Sequence, residues 1–316
     1  MRDNNHVKYS AYMYVLRGED YSLPYLQALN SVLWCDEIRV ATDIRLDDGT
    51  IDNLRKFSTE HSHVVLYEKE FDFDVPNPHG RIKQDLRNSC TGDWLIEMDA
   101  DEYFSQIHIE PLKDICSGAS PNINLITVKQ LNFFNGNWLK LSHPEYRPLI
   151  SRNMKHIVHD INDINSHGRL GAAYLTSKGI KMPPNFQYNE PTIYNYGWYS
   201  LPRKWEMRQT VHYYEGKIQG KYNVLDDYTH NLDNEEVDFW DLPWVLPVDH
   251  YIGQIYSEMS QAFNDNVLKR YTKKHPPEMI DWMDEQRVVD WGPGVFRGVS
   301  NLVRHMFKVG VIGESV

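Results

Sequence analysis

The first hundred residues alternate between short apolar runs of strand type and longer segments whose apolar side chains recur at helical spacing. Apolar runs typical of buried strands occupy residues 9–16, 38–42, 64–67 and 94–98. The intervening segments predict helices at residues 21–32, with Ser22 as the N-cap, at 50–57 and at about 81–90. Strands and helices that alternate with short connections predict an α/β fold, in which helices flank a mostly parallel, Rossmann-like sheet with right-handed crossovers.

This regular pattern loosens after residue 104. Strand-type runs recur at 124–130 and 146–151, residues 160–200 read as long loops, and helical spacing returns at 201–214, 251–271 and 278–286. We therefore predict a first domain at 1–215, with halves 8–104 and 105–215, the second half being mixed α+β. A mainly helical extension would occupy 216–316. Its amphipathic segment 295–309 is expected to pack on the domain or, alternatively, to touch a membrane surface.

Composition narrows the class of protein. The chain has 316 residues with 33 basic and 44 acidic side chains, a net charge of −11, and no basic run that would follow a nucleic-acid backbone. Three cysteines at positions 35, 90 and 116 show no metal-type spacing and argue against a disulfide framework. With no apolar signal segment and no stretch of membrane-spanning length, we expect a soluble, cytoplasmic protein that binds no nucleic acid.

The densest acidic cluster follows the last strand of the first half. Asp99, Asp101 and Glu102 come directly after the apolar run at 94–98, at the strand end where open α/β sheets bind ligands. If the segment is extended, Asp99 and Asp101 point the same way because side chains alternate with period two. Two such carboxylates suit Mg²⁺ or Mn²⁺, which usually complete their shells with substrate phosphates. The sequence therefore predicts a site for a nucleotide diphosphate here.

Five motifs share one order along the chain: residues 36–43, 47–50, 87–94, 99–102, and a looser set formed by 136–138, Arg147 and 158–160. In this order they resemble glycosyltransferase family 2, inverting enzymes with the GT-A fold, and in particular small bacterial members that modify glycans. The resemblance covers residues 8–215 and is more specific in the first half. It departs from the family at Asp47, where Thr is usual.

The resemblance implies a donor half at 8–104 and an acceptor half at 105–215. The implied activity is metal-dependent transfer of a sugar, with inversion, from a nucleotide-diphosphate donor to a glycan or lipid-linked acceptor, using Mn²⁺ or Mg²⁺. The motifs place Asp43 at the base or ribose, Lys83 and Arg87 at the diphosphate, Asp99 at the ribose or metal, Asp101 at the metal, and Asp48 in the donor site. Each also has an ordinary structural explanation, such as a cap or a solvated helix face.

The catalytic residues implied for the acceptor half are fewer. Asp160 is the expected general base, with Glu102 and Glu145 as alternatives, and His159 would orient the base or reach the metal. Asn195 replaces a histidine common in related sequences, so it would be a weaker third metal ligand.

Two other functions fit the same pattern. A sugar nucleotidyltransferase also joins such a sheet to aspartate-bound Mg²⁺, but it normally shows a Gly-rich phosphate loop, of which residues 16–19 are a poor version. A catalytically inactive carbohydrate-binding protein would explain Asn195. Metal-dependent hydrolysis of a donor separates this last reading from the glycosyltransferase.

Overall fold

The structure is a computed structural model. It describes residues 7–73, 75–121, 123–134, 136, 138–140, 146–155, 157–159, 161, 191–200, 268–270 and 273–286. Predictions for 201–267 and 295–309 therefore lie outside the described residues.

The first half is a run of strands and helices in strict alternation. Its elements are β1 (Tyr9–Val15), α1 (Tyr25–Ser31), β2 (Glu37–Asp43), α2 (Thr50–Glu60), β3 (Val64–Lys69), α3 (Pro78–Ser89) and β4 (Trp94–Glu97). The four strands are parallel and lie in the order β3-β2-β1-β4. The parallel sheet predicted from the sequence is therefore present.

The remaining elements extend the same sheet with mixed pairings. They are β5 (Glu102–Phe104), α4 (Ile109–Gly118), β6 (Leu125–Phe134), β7 (Trp138–Lys140), β8 (Tyr146–Arg152), β9 (Thr192–Trp198), β10 (Leu268–Arg270) and α5 (Ile280–Asp284). Strand β8 pairs antiparallel with β4, and β6, β7 and β10 follow beyond it, each antiparallel to its neighbour. Strand β9 runs parallel to β6 and antiparallel to β5.

Local sequence explains where α2 and α3 begin. Gly49 precedes α2 with φ +89°, a left-handed conformation that glycine adopts without a steric penalty. Helix α3 begins after Asn77, whose side chain accepts a hydrogen bond from the Gly80 amide at 3.1 Å, and Pro78 occupies the first helical position.

The core lies on both faces of the parallel strands. Along β1, Met13 joins an apolar cluster that includes Leu29 of α1 and Leu54 of α2, whereas Tyr12 packs with Leu86 of α3 in a second cluster. This alternation buries β1 on both sides and leaves its carboxyl end as the place where polar groups gather.

Three sequence predictions about these elements are wrong. Ser22 does not cap α1, because it adopts φ +45° and the helix begins at Tyr25. Residues 192–198, predicted as loop, form β9, and residues 268–270, predicted as helix, form β10. Both strands owe their conformation to partners distant in sequence, and such pairing overrides weak local preference.

Candidate active site

The connections of the sheet change direction at β1. From β1 the chain proceeds to β2 and β3 on one side, and β4 then pairs on the other side. Open α/β sheets bind their ligands in the crevice outside the carboxyl ends of the strands at such a switch point. We refer to the space outside the ends of β1 and β4 as the β1/β4 crevice.

Lys83 of α3 brings a buried cation to this crevice. Its Nζ donates to Glu97 Oε1 at 2.6 Å and to Asp99 Oδ1 at 2.8 Å, and lies 6.0 Å from the centroid of the Tyr14 ring. The Lys83 and Glu97 side chains are 7% and 2% exposed, whereas that of Asp99 is 32% exposed. The ion pair therefore fixes Asp99 at the mouth of the crevice and offsets part of its negative charge.

The acids after β4 do not continue as an extended segment, so that part of the sequence argument is wrong. The Glu102 amide donates to the Asp99 carbonyl at 3.1 Å, and the Asp99 amide donates to Glu102 Oε2 at 2.9 Å. These reciprocal bonds close a turn. Glu102 is fully buried and also accepts from Gln130 Nε2 at 3.0 Å, so its carboxylate holds the turn together.

Asp101 lies against Gly197 of β9. A Cβ built at Gly197 would come closer than 3.0 Å to Asp101 Oδ2 and within 3.2 Å of Asn195 Oδ1. The Gly197 amide donates to Asn195 Oδ1 at 3.0 Å, and the Tyr196 amide donates to the Asp101 carbonyl at 2.8 Å. The missing side chain at Gly197 thus leaves a space that the Asp101 and Asn195 side-chain oxygens both border.

This pair of oxygens bears on the metal prediction. Within the described ranges, no group of three or more His, Cys, Asp or Glu side chains is arranged to hold a metal ion. Asp101 and Asn195 offer a carboxylate and an amide oxygen, ligands that Mg²⁺ and Mn²⁺ accept while phosphates and water complete the shell. The donor set fits a hard cation held jointly with a phosphate, and it does not resemble a closed zinc site.

Asp43 ends β2 beside Arg45 and Phe71. Its carboxylate accepts from Arg45 Nε at 2.9 Å, from Arg45 Nη2 at 2.6 Å and from the Phe71 amide at 3.2 Å. Burial alone would raise the pKa of Asp43, but the hydrogen bonds from Arg45 and Phe71 lower it below its usual value. A cavity of about 340 Å³ opens next to Phe71, between the end of β3 and α3. Asp43 therefore has a structural role, because it holds Arg45 and the backbone at Phe71. That it contacts a base or ribose stays a prediction.

Asp48 organises the segment that follows β1. Its Oδ2 accepts from the Glu19 and Asp20 amides, each at 3.2 Å, and from the Thr50 hydroxyl at 2.7 Å. We refer to residues 17–22 as the β1 loop. Asp48 thus connects the start of α2 to the β1 loop, which borders the crevice.

Arg87 and His159 are both buried, and each has hydrogen-bond partners within the protein. Arg87 donates to the Ile157 and Arg152 carbonyls, each at 2.8 Å, and to Ser151 Oγ at 2.6 Å. His159 is 1% exposed, and its Nε2 lies 2.8 Å from the Tyr12 hydroxyl. These contacts attach the chain around residues 151–159 to α3 and β1.

Several predicted residues lie outside the described residues. They include the expected base Asp160 and the alternative Glu145. Conversely, the sequence did not predict Tyr14 as a residue of the site, although its ring lies near Lys83 Nζ. Its hydroxyl is 2.9 Å from His79 Nδ1, and its ring stacks on the imidazole at 5.7 Å. Its position near the carboxyl end of the predicted strand 9–16 could have identified it. Gly197 was also missed, because a glycine's role depends on what approaches it.

Comparison with known proteins gives weak similarities only. No protein-family model matches the sequence, and no curated protein matches it either. Among solved structures, S. aureus TarS is 18% identical with a TM-score of 0.29, over 41% of this chain and 22% of that one. TarS 1-349 is 14% identical with a TM-score of 0.35, over 96% and 92% of the two chains.

A third similar structure is the mannosyltransferase PcManGT from Pyrobaculum calidifontis in complex with GDP-Man and Mn²⁺. It is 10% identical with a TM-score of 0.38, and the match covers 98% of this chain and 76% of that one.

The described residues contain no helix long and apolar enough to cross a membrane. The strand order of this chain confirms the predicted α/β class, a sheet with a parallel first half and flanking helices.

Proposed function

We propose that this protein transfers a sugar, with inversion, from a nucleotide-diphosphate donor to a glycan or lipid-linked acceptor. The observation that carries the proposal is the meeting of two groups at the β1/β4 crevice. Lys83 and Asp99 lie on one side, and Asp101 and Asn195 lie against Gly197 on β9. The motif resemblance and the switch-point position favour a nucleotide donor at this place.

The charge of the crevice supports dependence on a divalent cation. Residues 97–102 carry four carboxylates, and Lys83 contacts Glu97 and Asp99. A diphosphate placed beside these acids would be repelled, since like charges at short range raise the free energy of binding. Asp101 and Asn195 would hold Mn²⁺ or Mg²⁺ together with the phosphates. When bound, such an ion supplies positive charge where negative charge develops on the leaving phosphate.

The remaining residues of the site position groups and bind the donor. Asp99, partly exposed and fixed by Lys83, would accept hydrogen bonds from the ribose hydroxyls. The β1 loop would border the diphosphate, with Asp48 holding its backbone amides in place. Asp160 stays the predicted base for the acceptor hydroxyl, and the bonds of His159 to Tyr12 and Gln84 anchor the backbone before it.

The test is a thermal-shift screen of UDP-, GDP-, CMP- and dTDP-sugars with Mn²⁺, Mg²⁺ or EDTA. A ligand at 100 times its Kd stabilises the native state by about 2.7 kcal/mol. We expect one nucleotide class to raise the Tm of the wild type and of Asp114→Asn, and EDTA to abolish the rise. Asp101→Asn should lose it. Asp114 is a suitable control because it is an exposed acid on α4, whose neighbour Lys113 contacts Tyr9 at the amino end of β1, the end away from the crevice.

The outcomes separate the competing functions. An unchanged rise in Asp101→Asn would remove the metal assignment, and no rise with any donor would contradict donor binding. Asp160→Asn should keep the rise but lower donor turnover by at least about 100-fold, the usual effect of losing a general base. Release of pyrophosphate from a nucleoside triphosphate and a sugar phosphate would identify a nucleotidyltransferase instead.

A further inference from the structure

Trp282 of α5 connects two borders of the β1/β4 crevice that are far apart in sequence. Its Nε1 donates to the Ser22 carbonyl at 2.9 Å, across 260 residues of chain. Its ring centroid lies 5.4 Å from that of Tyr196 and 5.5 Å from that of Tyr199. The indole is 8% exposed, and Met279 beside it is fully buried. Packing against Tyr196 of β9 therefore fixes the indole ring. The hydrogen bond from this fixed ring then restrains the β1 loop at Ser22.

The β1 loop has a backbone that needs such support. Arg17 and Ser22 have φ +47° and +45°, a left-handed conformation that costs a residue other than glycine about 1–3 kcal/mol. Backbone hydrogen bonds close the loop upon itself, including Leu23 N to Gly18 O at 2.8 Å. Asp48 holds the middle of the loop, and Trp282 holds its last residue.

The other border is the part of β9 that meets Asp101. Tyr196 stands between Asn195 and Gly197, and its amide donates to the Asp101 carbonyl at 2.8 Å. The Tyr196 ring packs on Phe133 at 4.9 Å and on Trp282. Trp282 thus contacts the strand that positions the proposed metal ligands and the loop that borders the proposed diphosphate.

We propose that Trp282 is a positioning residue for the donor. It holds the β1 loop at a fixed separation from β9 and so sets the width of the crevice for a nucleoside diphosphate, without touching the donor or the metal. This inference rests on the proposed function for its ligand, whereas the contact with the loop is independent of it.

The test compares Trp282→Phe with Trp34→Phe in the full chain. Phenylalanine at 282 keeps aromatic packing on Tyr196 and loses the hydrogen bond to Ser22. Trp34 is the matched control, because within the described part of the chain its buried Nε1 has no hydrogen-bond partner. Amide hydrogen exchange of residues 21–23 reports the loop, and titrations with Mn²⁺ alone and with the donor found in the screen report the site.

We expect Trp282→Phe to accelerate exchange of these amides about fivefold and to weaken donor binding by a similar factor, the effect of losing one hydrogen bond. Mn²⁺ affinity should stay within about twofold, since the contact with Tyr196 persists. Trp34→Phe should leave the amide exchange, the donor affinity and the Mn²⁺ affinity unchanged.

Exchange that is unchanged in Trp282→Phe would overturn the support of the loop. Faster exchange with wild-type donor affinity would overturn the positioning role. If the wild type binds no donor, the proposed function fails, and the exchange comparison still decides whether Trp282 holds the loop.

Discussion

Replacing Gly197 with alanine should weaken metal and donor binding while leaving the fold stable. The added methyl would come closer than 3.0 Å to Asp101 Oδ2, a distance that real Cβ atoms do not adopt, and within 3.2 Å of Asn195 Oδ1. The methyl meets the ends of side chains, so Asp101 yields by rotating away. The Asp101 carboxylate then leaves the space beside Gly197 that Asn195 Oδ1 also borders.

The substitution should change metal affinity more than it changes the free energy of unfolding. A rotated Asp101 costs about 0.5–1.5 kcal/mol in conformational strain. Exchange of glycine for alanine returns about 0.4–1 kcal/mol by restricting the unfolded chain. The free energy of unfolding should therefore change by less than about 1 kcal/mol. Loss of a positioned oxygen ligand should weaken metal affinity by about 10–100-fold, or about 1.4–2.8 kcal/mol.

The assay pairs urea unfolding with a Mn²⁺ titration in the presence of the donor nucleotide. Gly118→Ala is the control, because a Cβ at Gly118 meets nothing within 4 Å. Unchanged Mn²⁺ affinity in Gly197→Ala would refute the pairing of Asp101 with Asn195 as ligands. A loss of stability above about 3 kcal/mol would show instead that the methyl meets rigid structure.

Three further predictions concern stability, each measured by urea unfolding. Lys83→Met should cost about 3–5 kcal/mol because it leaves the buried carboxylate of Glu97 without its ammonium partner, and a second change, Glu97→Gln, should recover much of this loss. Gly92→Ala should cost at least about 1–3 kcal/mol, since its Cβ would lie 2.7 Å from the backbone nitrogen of Ser10. Burial lowers the pKa of His275 from 6.5 to about 4. The unfolded state therefore takes up its proton first as the pH falls, and the wild type should lose more stability than His275→Gln between pH 6.5 and 4. Equal losses in both proteins would contradict this assignment.

The sequence predicted the parallel half of the fold because buried strands such as β1 and β4 appear as continuous apolar runs. It did not predict β9 or β10, whose conformations follow from pairing with β6 and β7. It also assigned Ser22 to a helix cap, since a left-handed serine leaves no mark in a periodic pattern.

The candidate site was predictable only in part. Asp101 and Asn195 were placed together by the motif resemblance, and the structure brings them to one glycine. The partners of Arg87 lie in residues 151–157, and no local sequence pattern predicts a contact between segments so far apart in the chain. Glu97 looked like an ordinary strand residue, although it is the buried partner of Lys83.

The hydrogen bond between Ser22 and Trp282 has a consequence for how the protein is made. Its two ends are 260 residues apart, so the bond forms only after residue 282 has been synthesised. The parallel strands are complete by residue 97 and are available for packing much earlier. Contacts of long sequence separation form late because closing a large loop costs entropy before it returns any energy. A nascent chain would therefore carry a folded half-sheet first, and its β1 loop would gain the support of Trp282 only after residue 282 has been synthesised.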